Sequence, residues 1–80
     1  MEFEKVLEKV IALAREQFEA GSGEIGEEST ASDLARWNSL THVMLVSSIE
    51  KTYGIKFDLM DMIEMKNIGD IARATHEAIQ

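Results

Sequence analysis

The stretch DLARWNSLTHVMLVSSIEKTYG, residues 33–54, decides the fold because it contains the end of a loop followed by one complete helix. Asn38 is a strong helix cap, since its side-chain oxygen can accept a hydrogen bond from a first-turn amide. Gly54 is a typical helix terminator. Between them, apolar residues recur at spacings of three and four: Leu40, Val43, Met44, Val46, Ile49 and Tyr53. We predict an amphipathic helix from Asn38 or Ser39 to residue 52 or 53.

Three further helices are predicted on either side of this stretch. The first has a periodic apolar face before the Gly-Ser-Gly run at 21–23: Phe3, Val6, Leu7, Val10, Ile11, Ala14 and Phe18. A short helix over residues 59–65 follows the central one, and Asn67 with Asp70, at capping-box spacing, opens the last. That last helix carries its own apolar face: Ile68, Ile71, Ala72, Thr75 and Ile79. We predict an all-α fold, a small four-helix bundle of three longer helices and one short third helix, in a single domain over residues 1–80.

A long loop, residues 21–38, separates the first and second helices. It is rich in Gly, Ser and Glu and has no regular periodicity. Loops longer than about 12 to 15 residues are uncommon in compact domains unless they are functional or disordered. Ile25, Leu34 and Trp37 are isolated apolar residues in this polar segment, so we expect them to anchor the loop to the core.

Composition excludes several classes of function. Fifteen acidic and eight basic residues give a net charge of −7, which repels nucleic-acid backbones and anionic lipid heads. The absence of cysteine removes disulfides and thiolate metal sites, and the acidic residues Asp58, Asp61 and Glu64 lack the pattern of a calcium loop. We expect no metal, no nucleic acid and no membrane insertion. The charged amino terminus is unlike a secretory signal, so we expect a cytoplasmic protein. We also expect it to be a monomer.

Ser39 is the first candidate for chemistry, because the loop delivers its hydroxyl to the first turn of a helix. The helix dipole and free backbone amides there would favour a phosphodiester on that oxygen by about 0.3 to 1 kcal/mol. An ordinary helix cap is the alternative role for this serine. His42 lies three residues later on the same side, but no glycine-flanked elbow and no third residue complete a catalytic triad. We therefore predict that the chain is not an enzyme, and that His42 lies at the rim of the Ser39 site.

Several short motifs together resemble the acyl carrier protein family over nearly the whole chain: Asp33-Leu34, Asn38-Ser39-Leu40, Tyr53-Gly54-Ile55, Phe57 and Asn67-Ile68-Gly69-Asp70-Ile71. The resemblance implies that Ser39, flanked by Asn38 and Leu40, receives 4′-phosphopantetheine covalently from a phosphopantetheinyl transferase. The chain would then carry acyl groups as thioesters among the acyl-transferring and acyl-modifying enzymes of fatty acid, lipid or polyketide synthesis.

The resemblance also implies a surface for partner enzymes, to which we assign Trp37, Leu40, Met44 and Glu50. Asn38 stands where the family usually has Asp, and the second helix has fewer acidic residues than is usual in the family. We therefore expect recognition that is more apolar than electrostatic, with a narrower set of partners. For Trp37, packing against the core is the alternative role.

An acyl pocket is a further expectation, because the flexible methionines of the third helix can adapt to a changing shape. We assign to it Val46, Ile49, Leu59, Met62, Ile63 and Ile68, with plain core packing as the alternative. Two other functions remain open. One is an unmodified interaction module that has the carrier fold and binds proteins through Trp37, Met44 and Leu45. The other is a peptidyl or aminoacyl carrier.

Overall fold

The computed structural model describes residues 2–21 and 23–80, so Met1 and the serine of the Gly-Ser-Gly run lie outside the described residues. Four helices are present in these ranges: α1 (Phe3–Phe18), α2 (Ser39–Tyr53), α3 (Leu59–Glu64) and α4 (Ile68–Ala78). The predicted all-α fold is confirmed. The described ranges contain no strand, and their extended pairing is limited to one isolated antiparallel bridge between Thr30 and Asn67.

Helix α1 ends earlier than the glycines at 21 and 23 suggest. Glu19 adopts the left-handed conformation, with φ at 53°, and terminates the helix directly after Phe18. The carbonyl of Arg15 accepts hydrogen bonds from the amides of Glu19 and Ala20, the second at 3.0 Å. These bonds satisfy a carbonyl that the end of the helix would otherwise leave unpaired, so the chain turns before it reaches the glycines.

The core is built mainly by α1 and α4, with α2 packed against α1. The buried residues of α1 are the inner part of its predicted face: Val6, Val10, Ala14 and Phe18. Ile68, Ile71 and Ala72 of α4 are also fully buried. Thr75 is the one buried polar residue of the described chain, and its hydroxyl donates to the carbonyl of Ile71 at 2.8 Å. This bond removes the cost of an unsatisfied hydroxyl in the core.

Helix α2 packs on the core through only part of the apolar set that its periodicity indicates. Its buried residues are Leu45, Val46 and Ile49. Leu40, Val43 and Met44, which belong to the same periodic apolar set, are exposed. Apolar residues therefore lie on two sides of this helix, and the second side is left uncovered at the surface.

The long loop is fixed to the start of α4. Ile25 and Leu34 are buried as predicted. The amide of Ile68 donates to the carbonyl of Ser29 at 3.1 Å, and the amide of Gly69 donates to the carbonyl of Glu27 at 2.7 Å. These bonds use first-turn amides that have no partner within their own helix, so they order the loop and cap the helix together.

Asn67 caps α4 as predicted, because its Oδ1 accepts from the amide of Asp70 at 2.7 Å. The reciprocal half of the predicted capping box is not formed. The Asp70 carboxylate accepts instead from the amide of Lys66 at 3.1 Å and from the Arg73 guanidinium at 2.7 Å. The hydrogen bond from Arg73 is the main reason why the pKa of Asp70 lies below its usual range.

Replacing Gly69 by alanine tests the contact between the loop and α4. A Cβ there would lie 2.8 Å from Cγ of Glu27 and 3.1 Å from its carbonyl oxygen, which the Gly69 amide already holds. Alanine is favoured over glycine within a helix by about 1 kcal/mol, yet we expect Gly69→Ala to lower the free energy of unfolding by about 1 kcal/mol. Urea unfolding followed by circular dichroism measures this change. Gly26→Ala, where a Cβ meets open space, is the matched control and should be neutral or stabilising; a Gly69→Ala variant as stable as Gly26→Ala would contradict the account.

Candidate functional site

The start of α2 is fixed by a reciprocal cap between Asn38 and Thr41. The Asn38 Oδ1 accepts from the amide of Thr41 at 3.0 Å, and the Thr41 hydroxyl oxygen accepts from the amide of Asn38 at 2.9 Å. The Thr41 hydroxyl in turn donates to the carbonyl of Arg36 at 2.7 Å. The loop and the first turn of α2 are thereby held in one geometry.

Ser39 is the first residue of α2 and is exposed. Asn38 performs the capping, so the alternative that Ser39 is merely the helix cap is wrong. Among the described residues, the Ser39 hydroxyl has no hydrogen-bond partner. The structure thus presents an unused hydroxyl at the positive end of a helix, where the dipole stabilises an attached anion.

Trp37, directly before the cap, anchors the loop to the bundle. Its side chain is only 6% exposed, and its ring stacks on Phe18 of α1 with centroids 5.1 Å apart. Its ring is also nearly parallel to the ring of His42, with centroids 6.0 Å apart. This is the packing role given above as the alternative, and the buried indole is not available as the partner contact that we expected.

His42 links three segments through its two ring nitrogens. The Trp37 Nε1 lies 3.0 Å from Nδ1 of His42, and the Nε2 of His42 lies 3.1 Å from the carbonyl oxygen of Met62. An indole nitrogen can only donate and a carbonyl can only accept. Nδ1 is therefore the acceptor and Nε2 carries the proton, which fixes a neutral imidazole in one tautomer. His42 thus lies beside the Ser39 site, as predicted, but both of its nitrogens are engaged.

An open groove of about 630 Å³ lies between α2 and α3, next to Ser39. Val43 of α2 and Leu59, Met62 and Ile63 of α3 form its apolar walls. The other lining residues come from the loop, the start of α2 and the segment after α3: Ala31, Trp37, Asn38, Ser39, His42, Met65 and Lys66. A chain attached at Ser39 would therefore begin at the edge of an apolar groove that it could enter directly.

The predicted pocket residues divide into two groups. Leu59, Met62 and Ile63 line the groove. Val46, Ile49 and Ile68 do not, because they lie in the core with at most 1% of their surface exposed. These three residues are therefore core residues, as the alternative of plain core packing states.

The predicted partner residues also differ in their placement. Leu40 and Met44 are exposed on α2, as a docking surface requires. Glu50 is half-buried, and its carboxylate accepts from the amide of Phe57 at 2.8 Å, so it orders the turn after α2. Leu45 is fully buried, so the surface proposed for an unmodified interaction module is not formed.

Sequence reasoning missed two features of this region. Asp58 and Asp61 form a reciprocal cap at the start of α3, a role beyond the missing calcium-loop pattern noted for them above. The spacing of three between these two acids was the available signal. The link between Trp37 and His42 was also missed, and their spacing of five, across a helix start, carries no periodic signal.

The model for the family described as "Phosphopantetheine attachment site" matches residues 8–75. The chain belongs to this family of carrier proteins. The solution NMR structure of a holo acyl carrier protein from Geobacter metallireducens is 32% identical, and the match covers 92% of this chain and 85% of that one with a TM-score of 0.82. A search of curated proteins gave no significant match.

Members of the family are carriers and not enzymes, and they bear covalently attached 4′-phosphopantetheine. They interact with a phosphopantetheinyl transferase and with further enzymes. The predictions of a carrier and of its cofactor are thus confirmed. The free Ser39 hydroxyl and the adjoining groove fit such a group, since one offers an attachment atom and the other offers space beside it.

The structure also bears on metal binding and on membrane insertion. In residues 2–21 and 23–80, no group of three or more His, Cys, Asp or Glu residues is placed to hold a metal ion. No helix within that part of the chain is both long enough and apolar enough to cross a membrane.

Removing the Asn38 side chain tests whether the cap holds the site. We expect Asn38→Ala to lower the free energy of unfolding by about 1 kcal/mol, because the amide of Thr41 loses its acceptor. Asn38→Asp, which keeps a capping oxygen, is the matched control and should retain wild-type stability. Thermal unfolding of the three proteins makes the comparison. Equal destabilisation by both substitutions would show that the cap does not contribute.

Proposed function

We propose that Ser39 of this carrier is the residue to which phosphopantetheine is attached. The observation that carries the proposal is the exposed, unbonded hydroxyl at the first residue of α2. Asn38 supports the assignment because it takes the capping bond and leaves Ser39 free.

The surroundings of Ser39 suit an attached phosphodiester. The first-turn end of α2 stabilises a negative charge through its dipole, and no acidic residue lies in that turn to oppose it. Lys66 lines the same groove and brings a positive charge to this side of the molecule. Once attached, the group supplies a terminal thiol that holds cargo as a thioester. The protein's own residues orient the attachment point and offer an apolar surface to the cargo.

We further propose that the cargo is an acyl group with an apolar chain, as in fatty acid, lipid or polyketide synthesis. Val43, Leu59 and Ile63 present apolar side chains along the groove, and each is more than half exposed. Covering this surface with a hydrocarbon chain gains about 25 cal/mol for each Å² of apolar area removed from water. An aminoacyl group would gain less, because it would place a polar amine against these walls.

The enzymes that load and modify this cargo are proposed to dock on the exposed apolar side chains of α2. Leu40 is 69% exposed and lies next to Ser39, and Met44 follows one turn later. The acidic residue of this helix, Glu50, already accepts a hydrogen bond from the amide of Phe57. Binding should therefore depend more on burial of apolar area than on charge pairs.

Intact-mass analysis after incubation with coenzyme A and a phosphopantetheinyl transferase tests the attachment site. We expect the wild-type chain to gain one phosphopantetheine group and Ser39→Ala to gain none. Ser47→Ala removes another exposed hydroxyl of α2 and should be modified like the wild type. An increment that persists in Ser39→Ala would place the attachment elsewhere, and no increment on the wild type with several transferases would refute the proposal.

The nature of the cargo is tested by loading the modified protein with an octanoyl group or an alanyl group. We expect the octanoyl chain to shift the methyl NMR signals of Val43, Leu59 and Ile63, while the alanyl group leaves them nearly unchanged. Ile63→Gln should reduce the octanoyl-induced shifts at the other two residues by half or more. Met60→Gln is the matched control, because Met60 is an exposed residue of α3 that does not line the groove. Equal shifts with both groups would contradict a preference for apolar cargo.

A further inference from the structure

His42 has the only side chain in the groove that connects the loop, α2 and α3 through hydrogen bonds, as far as residues 2–21 and 23–80 show. Its Nδ1 accepts from the indole of Trp37 and its Nε2 donates to the backbone of Met62. We propose that His42 is a pH-sensitive tie that holds α3 against α2 and so sets the width of the groove beside Ser39.

The first step of the argument concerns protonation. A protonated imidazole has two N–H donors and no acceptor. The Trp37 N–H would then face another N–H across 3.0 Å, and rotating the ring by 180° cannot restore an acceptor. The bond to Trp37 exists only with the neutral ring, so protonation removes it. Nε2 still donates to Met62, but the ring has to move away from the indole, and this displaces its contact with α3. Histidine is the side chain that ordinarily titrates between pH 5 and 8.

The second step concerns the weakness of the other contacts that hold α3. This helix has six residues and none of them is buried. Met62 is half-buried and Met65, just after the helix, is buried, so these two side chains provide its apolar attachment. The hydrogen bond from His42 reaches the Met62 carbonyl in this same segment. Disturbing the ring therefore acts on the least strongly held wall of the groove, while the core between α1 and α4 is unaffected.

The third step concerns the charges around His42. Lys66 is the charged residue that lines the groove with it. The first turn of α2 contains no acid, and Arg36 of the loop is paired with Glu19 at 3.1 Å. On α3, Asp58 caps the helix, while Asp61 and Glu64 line a separate depression together with Asp70 and Arg73. No carboxylate is thus placed in the groove to pair with a charged imidazole and compensate for the lost bond.

The consequence for cargo rests on the proposed function, but the tie itself can be tested in the unmodified chain. At pH 8, long-range ¹H–¹⁵N spectra of the imidazole should show the Nε2–H tautomer of His42. The Nδ1–H tautomer would overturn the proposal without the need for any variant. The chain has a single tryptophan, so its fluorescence reports on Trp37 alone.

Lowering the pH from 8 to 5 should change the Trp37 fluorescence and the methyl NMR signals of Met62 and Met65 in one common transition. His42→Gln keeps one acceptor and one donor but does not titrate, so it should show no such transition. Amide hydrogen exchange in the last turn of α3 is compared between the wild type and His42→Gln at the same pH. At pH 5 the wild type should exchange about fivefold faster than the variant, and at pH 8 the two rates should be equal.

His76→Gln is the matched control, since it removes the other histidine and should show the same transition as the wild type. A transition of the same size in His42→Gln, or wild-type methionine signals that do not change with pH, would overturn the proposal. Failure of Ser39 to accept phosphopantetheine would leave these outcomes unchanged, so the two proposals fail separately.

Discussion

The buried indole of Trp37 is the constraint on which the rest of the site depends. Ordering a long loop costs about 1 to 2 kcal/mol of backbone entropy for each residue, and this loop has few apolar residues to offset that cost. Burial of one tryptophan contributes on the order of 4 kcal/mol. The ring contacts both Phe18 of α1 and His42 of α2, so a single side chain joins the loop to two helices. Because the indole N–H needs an acceptor when buried, it also determines the tautomer of His42.

The position of Ser39 follows from this constraint through the backbone. Asn38 directly follows the fixed Trp37 and caps α2. Because Asn38 accepts the bond from the Thr41 amide, the hydroxyl of the next residue, Ser39, is not used for capping. An aspartate at position 38 would cap equally well and would add a negative charge beside the attachment point. Asparagine keeps the geometry without that charge. The local electrostatics of the site therefore come from the helix end and Lys66, although the whole chain carries a net charge of −7.

The sequence predicts the four helices and the loop anchors because each has a local cause. A helix face repeats every three or four residues, and an isolated Ile25 or Leu34 in a polar loop has little reason to be exposed. The sequence does not predict which face of α2 is buried. That helix has apolar residues on two sides, and periodicity alone does not distinguish the buried side from the exposed one. For the same reason the sequence pattern favours a pocket for Val46 and Ile49, whereas both lie in the core. Contacts between segments, such as the bonds of His42, depend on how the helices pack and leave no repeated pattern in the chain.

The unequal burial of the helices determines where this carrier can move. Helices α1 and α4 contain fully buried side chains, so displacing either would expose much of the core. Helix α3 has no buried residue and is held by Met62, by Met65 directly after it, by its cap and by His42. Segments with little buried apolar area open at the lowest free energy. A groove with α3 as one wall can therefore widen or narrow around a chain while the core and the attachment point of α2 stay in place.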